Sequence, residues 1–277
     1  MTVKKEASGR RSAQTEFVVP GTPEEVWQAV ATGPGISSWL MPAEFEQRDG
    51  KPVALSLDFG GGNVARAEIT AWDPPRMYAA QSQGLVPGSP PIASEWHIEA
   101  QAGGTCVVRL VHSLFASTDD WDDQLDYVGS GWTAFLQTLQ IYLRHFRGQR
   151  STLTKWMVPF DGTEAQAWQK LTAALGLQDA GVGQRWSTPA RDPGSAPAMG
   201  GVVEYLTEHP YDALLRLDQP GPGIAAFGTV DMGQGCKVGM NLYLYGDEGA
   251  ATAGREAPRW QAWFDEHFPA PPATTHA

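Results

Sequence analysis

Gly21-Thr22-Pro23-Glu24-Glu25-Val26-Trp27-Gln28 returns further along the chain as Gly162-Thr163-Glu164-Ala165-Gln166-Ala167-Trp168-Gln169. Each copy follows a short β-prone run that contains a proline, Phe17-Val18-Val19-Pro20 in one case and Trp156-Met157-Val158-Pro159 in the other. Such a segment reads as a strand turning into a helix, because Thr caps the exposed N–H groups of the first turn and Pro is tolerated at the first helical position. Further matches keep the same order: a Pro-centred turn (Asp73-Pro74-Pro75, then His209-Pro210), a strand opening on Cys106 or Cys236, and an amphipathic helix beginning around Trp132 or Trp260. The spacing between matched features shortens steadily, as expected of a duplicated domain whose second copy has lost loops.

Periodicity fills in the first copy. A strand over 14–20 leads into a short helix that Gly33-Pro34-Gly35 breaks, and Ile36 to Leu40 forms a second helical turn. Strands are expected over 44–48, 53–59, 64–72, 77–81, 92–99 and 106–114, separated by Gly and Pro turns. The acidic run from Asp119 to Asp123 leads into a long helix in which Trp132, Phe135, Leu136, Leu139, Tyr142, Leu143 and Phe146 form one apolar stripe. Acids there suit the helix dipole and need no cation to explain them. Gly60-Gly61-Gly62 reads as a turn and Gly129-Ser130-Gly131 as a kink at the helix start. A sheet with one long helix to cover it predicts an α+β fold in which a curved antiparallel sheet wraps around that helix. The second copy is thinner: a strand over 152–159, a helix over 164–175, a long loop over 187–201, strands over 202–208, 213–218, 224–231 and 237–245, and a last helix carrying Trp260, Trp263 and Phe264. Any pocket there should be smaller or collapsed. The resulting division is a flexible tail at 1–13, a first domain at 14–150, a shortened second domain at 151–270 and a tail at 271–277.

Composition narrows the function. Of 277 residues, 42% are hydrophobic and only 18% charged, against a norm of about 25% charged, which excludes a disordered chain and implies wide apolar faces. The net charge of −11 without a basic stripe excludes nucleic acid as a partner and disfavours anionic membranes. No apolar run is long enough to span a bilayer, and no apolar stretch follows Lys4, Lys5, Arg10 and Arg11 as a secretory signal requires. Two cysteines, Cys106 and Cys236, give no disulfide scaffold and point to a reducing, cytoplasmic setting. The six histidines are scattered without metal-ligand spacing, so no metal and no cofactor is indicated. Ser37, Ser94 and Ser113 lack a nucleophile elbow.

Val26-Trp27, Ser38-Trp39 after the broken helix, Ile69-Thr70-Ala71-Trp72-Asp73-Pro74-Pro75, Ser94-Glu95-Trp96, the run from Gly103-Gly104-Thr105 to Val111-His112-Ser113, and Gly131-Trp132 opening a Leu-rich helix together resemble the SRPBCC (START-like) superfamily. Within it they are most similar to the branch of homologues of the activator of the ninety-kilodalton heat-shock protein ATPase. The resemblance implies a helix-grip fold, here in tandem, with a cavity between sheet and helix that holds a hydrophobic small molecule. Other members are aromatase/cyclases of polyketide synthesis or chaperone activators. A cyclase-like or hydrolase-like enzyme and a chaperone-activator-like interaction module, marked by an apolar patch on the sheet's outer face, therefore stay open beside ligand binding. No protein partner is specifically indicated.

In that fold Trp39, Met41 and Phe45 rim the cavity mouth. Trp96 and Ile98 share one face of their strand, as do Leu110 and His112 of the next, because side chains alternate. Trp132, Phe135 and Leu136 close the cavity from the helix. His112 is the polar candidate, either orienting a ligand or acting as acid or base, or simply bonded to a neighbour. Arg109 falls off the inward set as a surface cation. Glu68 and Glu95 have no spacing that joins them.

Overall fold

The computed structural model describes residues 4–6, 9–83, 90–115, 122–189, 194–208, 211–231 and 235–269, with backbone alone for 122–131. The chain divides into two compact units, Met1–Arg150 and Ser151–Ala277.

The first unit runs β1 (Lys4–Lys5), β2 (Arg10–Pro20), α1 (Pro23–Val30), α2 (Gly33–Ser37), β3 (Ala43–Arg48), β4 (Lys51–Asp58), β5 (Val64–Asp73), β6 (Met77–Ser82), β7 (Ile92–Gln101), β8 (Thr105–Phe115) and α3 (Asp122–His145). Its eight strands form one sheet in the order β1-β2-β8-β7-β6-β5-β4-β3, antiparallel throughout. The helix α3 packs on β2 and β8, α1 on β7 and α2 on β3. Leu136, Leu139 and Leu143 bury the α3 stripe, and Phe146 just past the helix end is buried with them.

The second unit runs β9 (Ser151–Phe160), α4 (Glu164–Leu175), β10 (Arg185–Ser187), β11 (Gly200–Glu208), β12 (Tyr211–Gln219), β13 (Gly223–Asp231), β14 (Cys236–Tyr245) and α5 (Gly249–His267). Its sheet order, β10-β11-β12-β13-β14-β9, repeats that of the first with β9 in the place of β2 and β14 in the place of β8. Among the described residues it has no counterpart of α2, and β10 is only three residues long. Trp156, Phe227, Trp260 and Phe264 are buried together in the core cluster of this unit, and Trp156 stacks on Phe264 at 6.1 Å.

Three expectations are corrected. Residues 10–13 are not tail: β2 starts at Arg10, and Ala13 pairs with His112 while Arg11 pairs with Leu114. Three consecutive polar residues, Arg10, Arg11 and Ser12, disguise this stretch, although Arg11, Ser12 and Ala13 are all buried. The helix α3 begins at Asp122, so Gly129-Ser130-Gly131 lies inside it rather than at its start; the rest of the acidic run lies outside the described residues. Likewise α5 begins at Gly249 and contains Pro258, which takes away one helical N–H donor without ending the helix. The Gly60-Gly61-Gly62 turn is as expected, all three residues lying at positive φ between β4 and β5, where glycine avoids the strain of a Cβ.

The two copies of the opening motif share their physics. Thr22 caps α1 by accepting from Glu25 N–H, and the Glu25 carboxylate accepts from Thr22 N–H at 2.9 Å. Thr163 and Gln166 repeat the exchange at α4. Each box satisfies two donors that would otherwise be orphaned at the helix end. Thr22→Ala and Thr163→Ala should each lower stability by about 0.5–2 kcal/mol, read from denaturant unfolding followed by tryptophan fluorescence; a loss confined to one site would show that the repeated motif has lost its capping role in the other.

Candidate functional site

Residues opposite one another in antiparallel register share a face, so the inner face of the first sheet can be read in rows. One row crosses Trp72, Tyr78, Trp96, Leu110 and Thr15 on β5, β6, β7, β8 and β2. The adjoining row crosses Ala80, Ser94, His112 and Ala13. Beside His112 this second row holds only small side chains.

The first row and its neighbours make a continuous aromatic wall. Trp27 of α1 meets Trp72 edge-on at 4.9 Å, Phe45 of β3 meets Trp72 at 5.5 Å, and Tyr78 stacks on Trp96 at 6.3 Å. Trp132 of α3 lies over both rows, 5.8 Å from Trp96 and 5.6 Å from the His112 ring, with Phe135 at 6.2 Å beyond it. Trp72, Phe45, Trp132 and Phe135 are only half-buried, and they mark where the wall approaches solvent.

Two polar groups at the wall are committed to backbone partners. The Trp39 indole N–H donates to Ala29 C=O at 2.9 Å, and the Tyr78 hydroxyl donates to Val30 C=O at 3.0 Å. Burial drives the Tyr78 phenol far above its ordinary value, so it stays protonated. His112 differs. The side chain is 2% exposed, Nδ1 lies 2.9 Å from Ser94 Oγ, and Nε2 is buried with no hydrogen-bond partner among the described residues. Leaving such a group unmet costs about 1–3 kcal/mol. Burial among apolar groups pushes the imidazole down to about 4, so the ring is neutral at pH 7.

The internal repeat supplies a control. Counting from the matched cysteines, Leu242 of β14 holds the place of His112, and its neighbours Ala225 and Thr154 hold those of Ser94 and Ala13. Beyond Ala225 the row continues with Leu215, where the first unit has Ala80. Leu242, Ala225 and Leu215 are fully buried. Phe227 and Trp260, 6.2 Å apart, stand for Trp96 and Trp132. The fold therefore closes its core with an apolar pair where the first unit keeps a serine and a histidine. The buried unpartnered side-chain atoms of the second unit, among the described residues, are the indole nitrogens of Trp260 and Trp263 on α5, two rings that meet edge-on at 5.4 Å.

Of the residues expected at the site, Phe45, Trp96, His112, Trp132 and Phe135 belong to this wall. Trp39 touches Trp96 at 6.2 Å, but Trp39 and Met41 are buried rather than on a rim, since the Trp39 indole is spent on the end of α1. Ile98, Leu110 and Leu136 are closed in the core. Trp72, Tyr78 and Ser94 were not foreseen; strand alternation puts them on the inner face, but only register brings them to Trp96 and His112. The outer face is charged. Arg10 pairs with Glu95 at 2.6 Å, and Arg109 pairs with Glu16 at 3.0 Å and Glu99 at 3.5 Å. Glu68 instead lies beside Arg66, so the two glutamates do not meet. The exposed large hydrophobic residues described in this unit, Val18, Phe59, Val64 and Phe115, are spread over β2, β5, β8 and the β4–β5 turn instead of forming the patch of an interaction module.

Residues 10–138 match the model of a family described as polyketide cyclase / dehydrase and lipid transport. No protein with a curated description matches the sequence. Among solved structures, the chain is similar to CalU16 from Micromonospora echinospora, with 22% identity over 51% of this chain and 82% of that one and a TM-score of 0.40. It is similar to the di-domain ARO/CYC BexL from the BE-7585A biosynthetic pathway at 13% identity, over 95% of this chain and 100% of that one, with a TM-score of 0.44. An Aha1 from Colwellia psychrerythraea is 20% identical over 48% of this chain and 95% of its own, with a TM-score of 0.37.

The buried imidazole makes stability depend on pH. Unfolded, His112 titrates near 6.5; folded, near 4. Between those values the unfolded chain binds the extra proton, so the stabilisation is whole above pH 6.5 and shrinks as pH falls toward 4, by about 2–3 kcal/mol. Asp212, raised to about 6 by burial, adds the opposite slope below that pH. The His112 contribution is therefore read as the difference between wild type and His112→Phe in unfolding free energy from pH 4 to pH 7; identical slopes for both proteins would contradict the burial account.

Proposed function

We infer that the first unit, whose residues 10–138 belong to the SRPBCC superfamily through its polyketide cyclase, dehydrase and lipid transport family, binds a flat hydrophobic small molecule against the aromatic wall, with His112 as its polar anchor. The observation that carries this reading is the unpartnered Nε2, set where the second copy of the same fold places Leu242. An orphaned buried polar atom calls for a partner outside the chain, such as a ligand or a water, and since α5 also holds unpartnered indole nitrogens it is the contrast with Leu242 that marks His112 out. Flat rings suit Trp96, Trp132 and Tyr78, whose faces and edges offer offset or T-shaped contacts. Trp132, half-buried over His112, is the side chain that moves aside to admit the ligand. The second unit, apolar at the matching positions, acts as a structural partner.

Binding fits better than the cyclase-like or hydrolase-like alternative. An imidazole pushed down to about 4 is a weak base at neutral pH, whereas effective general bases lie near the working pH. Among the described residues no carboxylate bonds the Ser94–His112 pair as in a nucleophilic triad, and Glu95, next to Ser94 in sequence, is paired with Arg10 on the outer face.

The test copies the second unit into the first. Ser94→Ala with His112→Leu removes both polar partners at once, which is near neutral or stabilising for a buried pair. The double variant should match or exceed the parent in stability at pH 7. It should also lose at least about tenfold in affinity, or about 1.4 kcal/mol, for those flat oxygenated aromatics that quench the parent's tryptophan fluorescence. Failure of every such compound to bind the parent, confirmed by native mass spectrometry, would refute the reading.

A further inference from the structure

The hydrogen bonds around His112 fix which ring nitrogen carries the proton, and that in turn fixes the kind of ligand atom the site accepts. The Ser94 hydroxyl makes one hydrogen bond among the described residues, to His112 Nδ1 at 2.9 Å. Two arrangements satisfy that distance. If Ser94 O–H donates to Nδ1, hydroxyl and Nδ1 are both satisfied, and the ring proton sits on Nε2 as a single unmet donor. If Nδ1–H donates to Ser94 Oγ instead, the hydroxyl hydrogen and the Nε2 lone pair are both left unmet. The first arrangement leaves one polar group short and the second leaves two, the buried Nε2 and the half-buried Ser94 hydroxyl, so the second forgoes one more hydrogen bond. Among the described residues nothing reverses the balance, because the row neighbours Ala13 and Ala80 bring no polar side-chain atom and Trp132, the ring over His112, makes no hydrogen bond to Nε2.

We propose that Ser94 holds His112 as an Nε2–H donor, so that the site selects flat hydrophobic molecules bearing a neutral acceptor oxygen, typically a ketone carbonyl, over the matching hydrocarbons. This rests on reading the first unit as a small-molecule site. Ser94 is then a positioning residue that acts through His112, and His112 is the residue that reads the ligand. Carboxylates are disfavoured, because the imidazole is neutral and the wall is apolar, so an ionised ligand would give up its hydration without a compensating charge.

Two measurements test the proposal. Long-range ¹H–¹⁵N spectra of the wild-type protein should show His112 Nε2 as the protonated, pyrrole-type nitrogen and Nδ1 as the unprotonated one. This needs neither ligand nor variant. In fluorescence titrations, 9-fluorenone should bind wild-type protein about tenfold more tightly than fluorene, its carbonyl-free counterpart. The preference should shrink to about twofold or less in Ser94→Ala, where the tautomer is no longer held, and return in Ser94→Thr, which restores the hydroxyl. A protonated Nδ1, or equal affinities for fluorenone and fluorene, overturns the donor assignment while leaving the small-molecule site standing. If neither compound binds wild-type protein while the spectra show the Nε2–H form, the small-molecule reading falls instead, and with it the selectivity drawn from it.

Discussion

One long helix cannot cover the inner face of an eight-stranded antiparallel sheet. In the first unit α3 packs on β2 and β8 at one side of the sheet, while α1 and α2 reach β7 and β3. The strands between must shield their own inner face, and large aromatic side chains do so with few residues, each burying about 150–250 Å². Trp72, Tyr78 and Trp96 line up across β5, β6 and β7 for that reason. Where this cover thins, Phe45, Trp72, Trp132 and Phe135 stay partly exposed. The small side chains of the His112 row lie beneath Trp132, so the proposed ligand would enter at the part of the fold hardest to cover.

The second unit solves the same problem differently. It has fewer strands, fills the row with Leu215, Ala225 and Leu242, and buries Phe227 and Trp260 completely. Two copies of one architecture thus show what the fold requires and what it merely permits. Both need the capped helix after the first strand and the ring pair between sheet and helix. Only the first retains Ser94 and His112, at a stability cost that grows below neutral pH. A polar pair that the fold demonstrably does without is more economically read as an anchor for something outside the chain than as part of the scaffold.

Much of this architecture was legible in the residues themselves. The repeated Gly-Thr motif placed α1 and α4, and two-residue alternation put Trp96, Ile98, Leu110 and His112 on one face without any structure. What stayed hidden depends on register or on competition between local and tertiary preferences. Ser94 is opposite His112 only because β7 and β8 pair as they do, and a slip of one residue would send every side chain to the other face. The start of β2 at Arg10 was masked by polar residues whose backbone nevertheless pairs with β8. Gly129 and Gly131 are weak helix formers, yet α3 runs through them, since propensity is a prior that tertiary context overrides. Trp39 looked like a rim residue from its position after a broken helix, and its commitment to Ala29 C=O was not readable from spacing.

On the proposed reading, His112 Nε2 is held ready for a ligand oxygen beneath Trp132. A crystal structure of the protein soaked with a flat aromatic ketone tests it most directly. The account predicts the ketone against Trp96, its oxygen about 2.7–3.2 Å from Nε2, and Trp132 displaced from its place over the imidazole. A ketone bound elsewhere on the first unit, with Trp132 unmoved and Nε2 still closed off, would contradict it.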